Sequence, residues 1–147
     1  MFIWGTYNMD NLRCYFVPHP PLIMSEIGKG QEKAINQTIA AYQEVAKEIA
    51  LFHPDTIIVV SPHALTYDDY FHIENSSRHK GNMGSFNAPQ VRFEIQNDDE
   101  FCQQLEQASS YDKFPAGFLG KQNNQLDHGV MVPLYFVNRV YHDYKLV

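Results

Sequence analysis

The sequence predicts an α/β protein whose parallel strands carry histidines at one edge of a sheet. Two apolar, β-favouring runs, residues 12–17 and 56–60, each lead into a Pro-His pair. Proline cannot donate to a strand ladder and restricts the residue before it, so each histidine should lie just past a strand's carboxyl end. The amphipathic segment 31–52 separates the runs, and such a unit returns its second strand parallel to the first. We therefore expect His19 and His63 to face one crevice, where ligands bind in open α/β sheets.

The segment between the two runs is predicted to be a helix. Its apolar residues recur at steps of three and four, which places them on one helical face. These residues are Ile35, Ile39, Tyr42, Val45 or Ala46, Ile49 and Phe52. The sequence His53-Pro54-Asp55 should end the helix. The strand that follows is the most apolar run in the chain and is predicted to be central in the sheet.

The region after His63 is predicted to contain short strands separated by loops. Residues 71–74 favour an edge strand, and residues 91–95 favour another. Between them, the polar and glycine-rich residues 75–90 predict a long loop, either a lid over the crevice or a disordered segment. Two histidines in this region are expected to face solvent, His72 and His79.

The remainder of the chain predicts two helices and two strands. Asp98 and Asp127 are suited to cap the helices, because a carboxylate accepts hydrogen bonds from the first free backbone N–H groups. The predicted helical faces carry Phe101, Cys102, Leu105 and Ala108 in the first helix and Val130, Leu134, Val137 and Tyr141 in the second. Residues 115–119 and 144–147 are predicted to be short strands.

Composition narrows the classes of function. The chain has 147 residues, enough for one domain, with a formal net charge of −6 and no cluster of Lys and Arg. Nucleic-acid binders need such clusters, so no nucleic-acid partner is expected. No apolar run approaches the roughly 18 residues that a membrane span requires, so no membrane partner is expected. The chain also lacks the phosphate-binding pattern GxxxxGK[ST].

The cysteines and the amino terminus point to the cellular compartment. Cys14 and Cys102 form no CxxC pair and no disulfide framework, which favours a reducing environment. No secretory signal pattern is present, so a cytoplasmic protein is expected. Residues 1–11 show no clear period and are predicted to be a flexible leader, or to dock through Phe2, Ile3 and Trp4.

A third histidine follows Asp127 in the sequence Asp127-His128-Gly129. A histidine in the first turn of a helix and beside a carboxylate is suited to carry a proton. The alternative is that Asp127 is only a helix cap and His128 an exposed residue of the first turn.

Two or three neutral imidazoles at one sheet edge suit Zn, Fe, Ni or Cu, whereas Mg or Ca would need more carboxylates. A set of two histidines and one carboxylate suits non-haem Fe(II). Three carboxylates near His63 in the sequence could serve, and their spacing singles out none of them: Asp68, Asp69 and Glu74.

Four motifs, in this order, resemble the class III extradiol ring-cleavage dioxygenase superfamily. They are VPHPPLI, DTIIVVSPHA, the loop with GSFNAPQV, and LDHGVMVPLYF. The branch that includes the AmmeMemoRadiSam system and Memo-like proteins is the most similar. The resemblance runs from about Leu12 to the last residue. It implies a three-layer αβα sandwich around a mostly parallel or mixed sheet.

The same resemblance implies roles for the site residues. His19 and His63 match two iron ligands, and His128, beside Asp127, matches a residue that contacts substrate and assists proton transfer. The family's chain continues through strands that supply the carboxylate ligand and another histidine. The 147 residues therefore resemble only the amino-terminal part of a single domain, cut short at its carboxyl end.

The expected function is an Fe(II)-dependent dioxygenase-like activity on a small catechol-type aromatic and O2, inactive unless the carboxylate is supplied. One alternative is a non-catalytic, Memo-like interaction domain. Another is a Zn-dependent hydrolase. An incomplete sheet leaves an open edge and apolar surface, so we expect homo-oligomers, poor solubility, or association with a carboxyl-terminal half.

Overall fold

The computed structural model describes residues 11–147, so the predicted leader lies almost entirely outside the described residues. This part of the chain contains four α-helices: α1 (Ser25–Gly28), α2 (Asn36–Phe52), α3 (Asp99–Tyr111) and α4 (His128–Val137). The same residues contain six strands: β1 (Thr56–Ile57), β2 (Phe71–His72), β3 (Arg78–Met83), β4 (Ala88–Gln96), β5 (Ala116–Gly117) and β6 (Lys145–Leu146). Short 3-10 turns span Pro21–Ile23, Gln31–Ile35 and Gly84–Phe86.

The strands pair in three two-stranded sheets. β1 pairs with β6 and β2 pairs with β5, both in parallel, whereas β3 and β4 form an antiparallel hairpin. An isolated bridge joins Asn97, just after β4, to Leu146 of β6. The pairing is therefore mixed, and the predicted α/β class is confirmed.

The core lies between α2, α4 and the inner face of the β3–β4 hairpin. Helix α4 is apolar on every side and almost wholly buried, as expected for a helix enclosed by other elements. The Tyr42 ring of α2 stacks on the Phe136 ring of α4, with centroids 4.5 Å apart and planes 16° apart. Other buried side chains of this core include Ile23, Met24, Met83, Phe93, Val132 and Leu134.

Helix α2 confirms the predicted helix, with its first turn in the 3-10 form. Tyr42 and Ala46 are buried, and the other predicted face residues are at least partly covered. The helix ends at His53, which adopts a left-handed conformation with φ 55°. The two predicted caps are also confirmed, since Asp98 accepts from Phe101 N and Asp127 accepts from Gly129 N.

The prediction that residues 12–17 form a strand is wrong for the described chain, because this segment belongs to none of the six strands. Its side chains nevertheless alternate, with Tyr15 and Val17 half-buried and Phe16 95% exposed. The segment is held by α2 instead of by a ladder. The Tyr15 hydroxyl donates to Glu48, and the Tyr42 hydroxyl donates to the carbonyl of Pro18.

The prediction of a central strand at residues 56–60 is also wrong among the described residues. Only Thr56–Ile57 is a strand, and its one partner is β6. Ile57 and Val59 pack on the core, whereas Ile58 is 47% exposed and Val60 is 84% exposed. This run is therefore covered on one face by the described chain, although its composition predicts burial on both.

The prediction that residues 75–90 form a loop is wrong, because most of them belong to the β3–β4 hairpin. The polar composition is misleading here because the charged residues lie on the outer face, where Arg78 and Glu94 form an ion pair at 2.9 Å. Gly81 lies on the inner face, and a Cβ there would overlap Met131 of α4. The hairpin therefore packs closely on α4 at Gly81, a contact that the local sequence does not reveal.

The two histidines expected to face solvent do not. His79 is 3% exposed, and its Nε2 lies 2.8 Å from Asn97 Oδ1. His72 is half-buried; its Nδ1 lies 2.9 Å from the Leu119 carbonyl, so Nδ1–H donates there, and its Nε2 is buried without a hydrogen-bond partner among the described residues. Both rings are enclosed by strand pairing and by segments distant in sequence.

Across residues 11–147, no helix has the length and apolar character needed to cross a membrane. The two cysteines are free thiols, Cys14 exposed and Cys102 buried.

The hydrogen bond from Tyr42 to Pro18 predicts a measurable stability effect. Burial raises the pKa of the Tyr42 hydroxyl, so it remains a donor at ordinary pH. Replacing Tyr42 by Phe should lower the free energy of unfolding by about 1 kcal/mol, because the ring is kept and one hydrogen bond is lost. Chemical denaturation would measure this change.

Tyr15→Phe is the matched control, since its hydroxyl bonds to Glu48 on the exposed surface of the same helix. Surface contacts of this kind contribute little, so its effect should be smaller. Equal effects of the two variants would contradict the proposed anchoring of Pro18.

Candidate metal centre

Three histidines from different parts of the chain meet at one place. His19 follows the extended segment anchored on α2, His63 lies in the loop after β1, and His128 is the first residue of α4. The predicted convergence of His19 and His63 is confirmed: their Nε2 atoms are 2.8 Å apart. His128 joins them, and one ring nitrogen from each of the three lies within 4.8 Å of the others.

The rings are arranged at different angles around a common space. The centroids of His63 and His128 are 4.1 Å apart, those of His19 and His63 are 4.9 Å apart, and those of His19 and His128 are 5.7 Å apart. His63 is exposed, whereas the other two are half-buried. The cluster is therefore accessible to a small solute.

The spacing of His19 and His63 fits two ligands of one metal ion. Metal-to-imidazole bonds are about 2.1 Å long, so two nitrogens at a right angle around a metal lie roughly 3 Å apart. The observed 2.8 Å is close to this value. Without a metal, the same distance is a hydrogen bond in which one Nε2 carries the proton and the other presents its lone pair. Neutral imidazoles of this kind are ligands for Fe, Zn, Cu and Ni.

The surroundings of His128 lower the pKa of its ring. Burial lowers its pKa first, the neighbouring His63 and His19 lower it further, and the Asp127 carboxylate opposes them. A lowered pKa leaves a ring nitrogen unprotonated at neutral pH. That nitrogen can accept a proton or bind a metal.

Asp127 is engaged by the backbone and by a serine. Its Oδ1 accepts from Gly129 N at 2.6 Å, which caps α4, and from Ser61 Oγ at 2.8 Å. The predicted role of Asp127 as a helix cap is thus confirmed. Its predicted catalytic role stays a prediction.

No carboxylate joins the histidine cluster among residues 11–147. Asp68 and Asp69 are exposed. Glu74 binds Ser76, accepting from its backbone N at 2.9 Å and from its hydroxyl, and it also accepts from Asn123 N. The three carboxylates that the sequence offers near His63 therefore lie elsewhere.

Two residues near the cluster carry no site prediction from the sequence. Ser61 bonds to Asp127, and the Phe86 ring meets the His128 ring edge-on with centroids 5.4 Å apart. Phe86 belongs to the turn of the β3–β4 hairpin, and the GSFNAPQV motif was its only signal. The segment predicted as a lid or a disordered loop is thus a hairpin, and its Phe86 side chain lies against the cluster.

Histidines gathered at the ends of strand-like segments in an α/β fold define a candidate metalloprotein. Comparison with known proteins then identifies the family. A family model described as the catalytic LigB subunit of aromatic ring-opening dioxygenase matches residues 13–147. The chain belongs to this family, which confirms the resemblance seen in its motifs.

A relative in Clostridium acetobutylicum, Protein CA_C1420, is 36% identical over 140 residues. The match covers 90% of this chain and 30% of the relative. The chain therefore spans less than a third of the length of that relative, whose name states no activity.

Removing the Phe86 ring should change the titration of His128. Burial is the largest cause of the lowered pKa of His128, and Phe86 covers one side of its ring. Phe86→Ala should therefore raise the pKa of His128 toward its ordinary value. NMR titration of the His128 ring protons would measure it, with Phe114→Ala, whose ring stacks on Phe71, as the control. If the pKa of His128 stays the same or falls in Phe86→Ala, then Phe86 does not contribute to the burial that lowers it.

Proposed function

We propose that this chain contributes the histidines of a metal-dependent ring-opening dioxygenase site, acting on a catechol-type aromatic and O2. Family membership over residues 13–147 supports the reaction class. The single observation that carries the proposal is the convergence of His19, His63 and His128 in one accessible cluster.

In this proposal His19 and His63 hold the metal through Nε2. Fe(II), when bound there, supplies open coordination positions for O2 and for the two hydroxyls of the substrate. The third protein ligand of such a set is a carboxylate. It would come from polypeptide outside residues 11–147, since the described cluster contains none.

His128 is proposed to move the proton. Its lowered pKa keeps a ring nitrogen free to accept the proton of a substrate hydroxyl at neutral pH. Phe86 lies against the same ring and would exclude water from that side. Asp127 is the helix cap beside His128, and its charge favours the imidazolium formed after proton transfer.

A zinc-dependent hydrolase is the second candidate. The observation that favours it is the presence of three imidazoles without a carboxylate among the described residues, a ligand set that zinc uses in catalytic sites with water as the fourth ligand. Zinc has no redox chemistry, so metal identity separates the two functions. A non-catalytic interaction domain is the third candidate.

The proposal is tested by metal content and oxygen uptake. Protein purified without added metal should bind Fe(II), and catechols should then stimulate oxygen consumption if the carboxylate is available. His19→Ala and His63→Ala should each weaken metal binding by more than about 100-fold, beyond the effect typical of an outer-shell partner. His142→Ala, at an exposed histidine outside the cluster, is the control and should bind metal normally.

The outcomes separate the candidates. If protein that is loaded with iron and supplied with a carboxylate ligand consumes no oxygen with any catechol, the dioxygenase is ruled out. Ester or amide hydrolysis that depends on zinc would favour the hydrolase. Partner binding that survives the loss of both histidines would favour the interaction domain.

His128→Gln distinguishes proton transfer from metal ligation. If His128 carries a proton, the variant should keep its metal affinity and lose turnover, by roughly 10²- to 10⁴-fold. If His128 is a third zinc ligand, metal affinity itself should fall. Isothermal titration calorimetry with Zn²⁺ measures the metal affinity, and steady-state kinetics on the same preparation measures the turnover.

A further inference from the structure

Two histidine-bearing segments are joined beside the cluster by a hydrogen bond between residues far apart in sequence. Ser61 stands two residues before His63, and Asp127 stands immediately before His128. Ser61 Oγ donates to Asp127 Oδ1 at 2.8 Å. The serine thus ties the loop after β1 to the amino-terminal end of α4.

The bond is part of a continuous chain of donors and acceptors. The backbone N–H of His63 donates to Ser61 Oγ at 3.3 Å, Ser61 donates to Asp127 Oδ1, and the N–H of Gly129 donates to the same Oδ1 at 2.6 Å. The hydroxyl therefore acts as donor and acceptor at once, which alanine at this position could not do. The chain starts at the backbone of His63 and ends one residue past His128.

Gly129 leaves room for Ser61 because it has no side chain. A Cβ on Gly129 would overlap Ser61 Oγ and would lie 2.8 Å from Asp127 Oδ1 and 3.2 Å from His63 Cδ2. Gly129 is not among the residues with positive φ, so its backbone does not require glycine. The reason for glycine at this position is the close approach of the serine loop.

We propose that Ser61, Asp127 and Gly129 form a clasp that sets the distance between His63 and His128, with Ser61 and Gly129 acting as positioning residues. His63 is exposed and lies in a loop, so the position of its ring depends on how the backbone of that loop is held. The clasp fixes the backbone of that loop against α4, and it brings the two rings to a centroid separation of 4.1 Å. The expected effect of the clasp on metal binding rests on the proposed function.

The first test removes and then restores the hydroxyl. Ser61→Ala should weaken Co²⁺ binding by about 10- to 100-fold, the range typical of residues that orient metal ligands. Ser61→Thr keeps a hydroxyl that can donate and accept, so it should restore most of the affinity. Competition with a chromophoric chelator gives the affinity, and the Co²⁺ absorption spectrum reports whether the ligand set has changed.

The second test asks whether Gly129 is an ordinary helical residue or part of the clasp, because the two cases predict different effects of Gly129→Ala. Alanine is favoured over glycine within helices, so a position with no role in the site should become more stable to heat in Gly129→Ala. The clasp predicts instead a loss of Co²⁺ affinity similar to that of Ser61→Ala, because the new methyl group displaces the serine loop. Ser110→Ala, at an exposed serine of α3, is the control and should leave Co²⁺ affinity unchanged.

A third measurement does not depend on metal. In metal-free protein, the ring protons of His63 and His128 should show a nuclear Overhauser contact that weakens in Ser61→Ala and returns in Ser61→Thr.

Unchanged ring contacts and unchanged Co²⁺ affinity in both Ser61→Ala and Gly129→Ala would overturn the clasp. Normal Co²⁺ binding, together with no oxygen uptake when iron and the carboxylate ligand are both supplied, would contradict only the dioxygenase proposal and would leave the clasp standing.

Discussion

The burial of helix α4 is the interaction on which the rest of the structure depends. Residues from Gly129 to Val137, apart from Pro133, are buried, so nearly every face of the helix meets another element. Phe136 stacks on Tyr42 of α2, and Met131 fills the space left by Gly81 of the hairpin. A helix enclosed in this way can shift only if several contacts are broken together. Because His128 is its first residue, the position of this ring is set by the core and not by a surface loop.

The other two histidines reach the same point by weaker means. The segment before His19 is held by side chains of α2, chiefly through the hydrogen bond from Tyr42 to Pro18. The loop that carries His63 is held at β1 by the pairing with β6 and at Ser61 by Asp127. The cluster therefore combines one ring on a buried helix with two rings on segments that belong to no helix or strand. A metal ion that binds all three would stabilise the fold as well as create a site, because the unfolded chain has no preformed site.

The charge of the protein suits a cation at this cluster. The formal net charge of −6 places the three imidazoles in an acidic protein, although no carboxylate of the described residues lies within the cluster itself. Burial lowers the pKa of His128, and the neighbouring His63 and His19 lower it further, so the His128 ring favours its neutral form. Neutral rings are the form that binds a metal ion or accepts a proton.

The sequence by itself determined the helix α2 and the caps at Asp98 and Asp127, which follow from local periodicity and from capping chemistry. It also predicted the meeting of His19 with His63, but from two parallel strands. In the structure, His19 follows a segment held by α2, and His63 lies in a loop after β1. Only the tertiary structure decided that residues 75–90 contain a hairpin, because the close packing of Gly81 against Met131 of α4 has no signal in the local sequence. It alone also revealed Ser61, whose partner Asp127 lies 66 residues away. A hydroxyl beside a proline carries no local signal for such a contact, which exists only once α4 is buried against the strands.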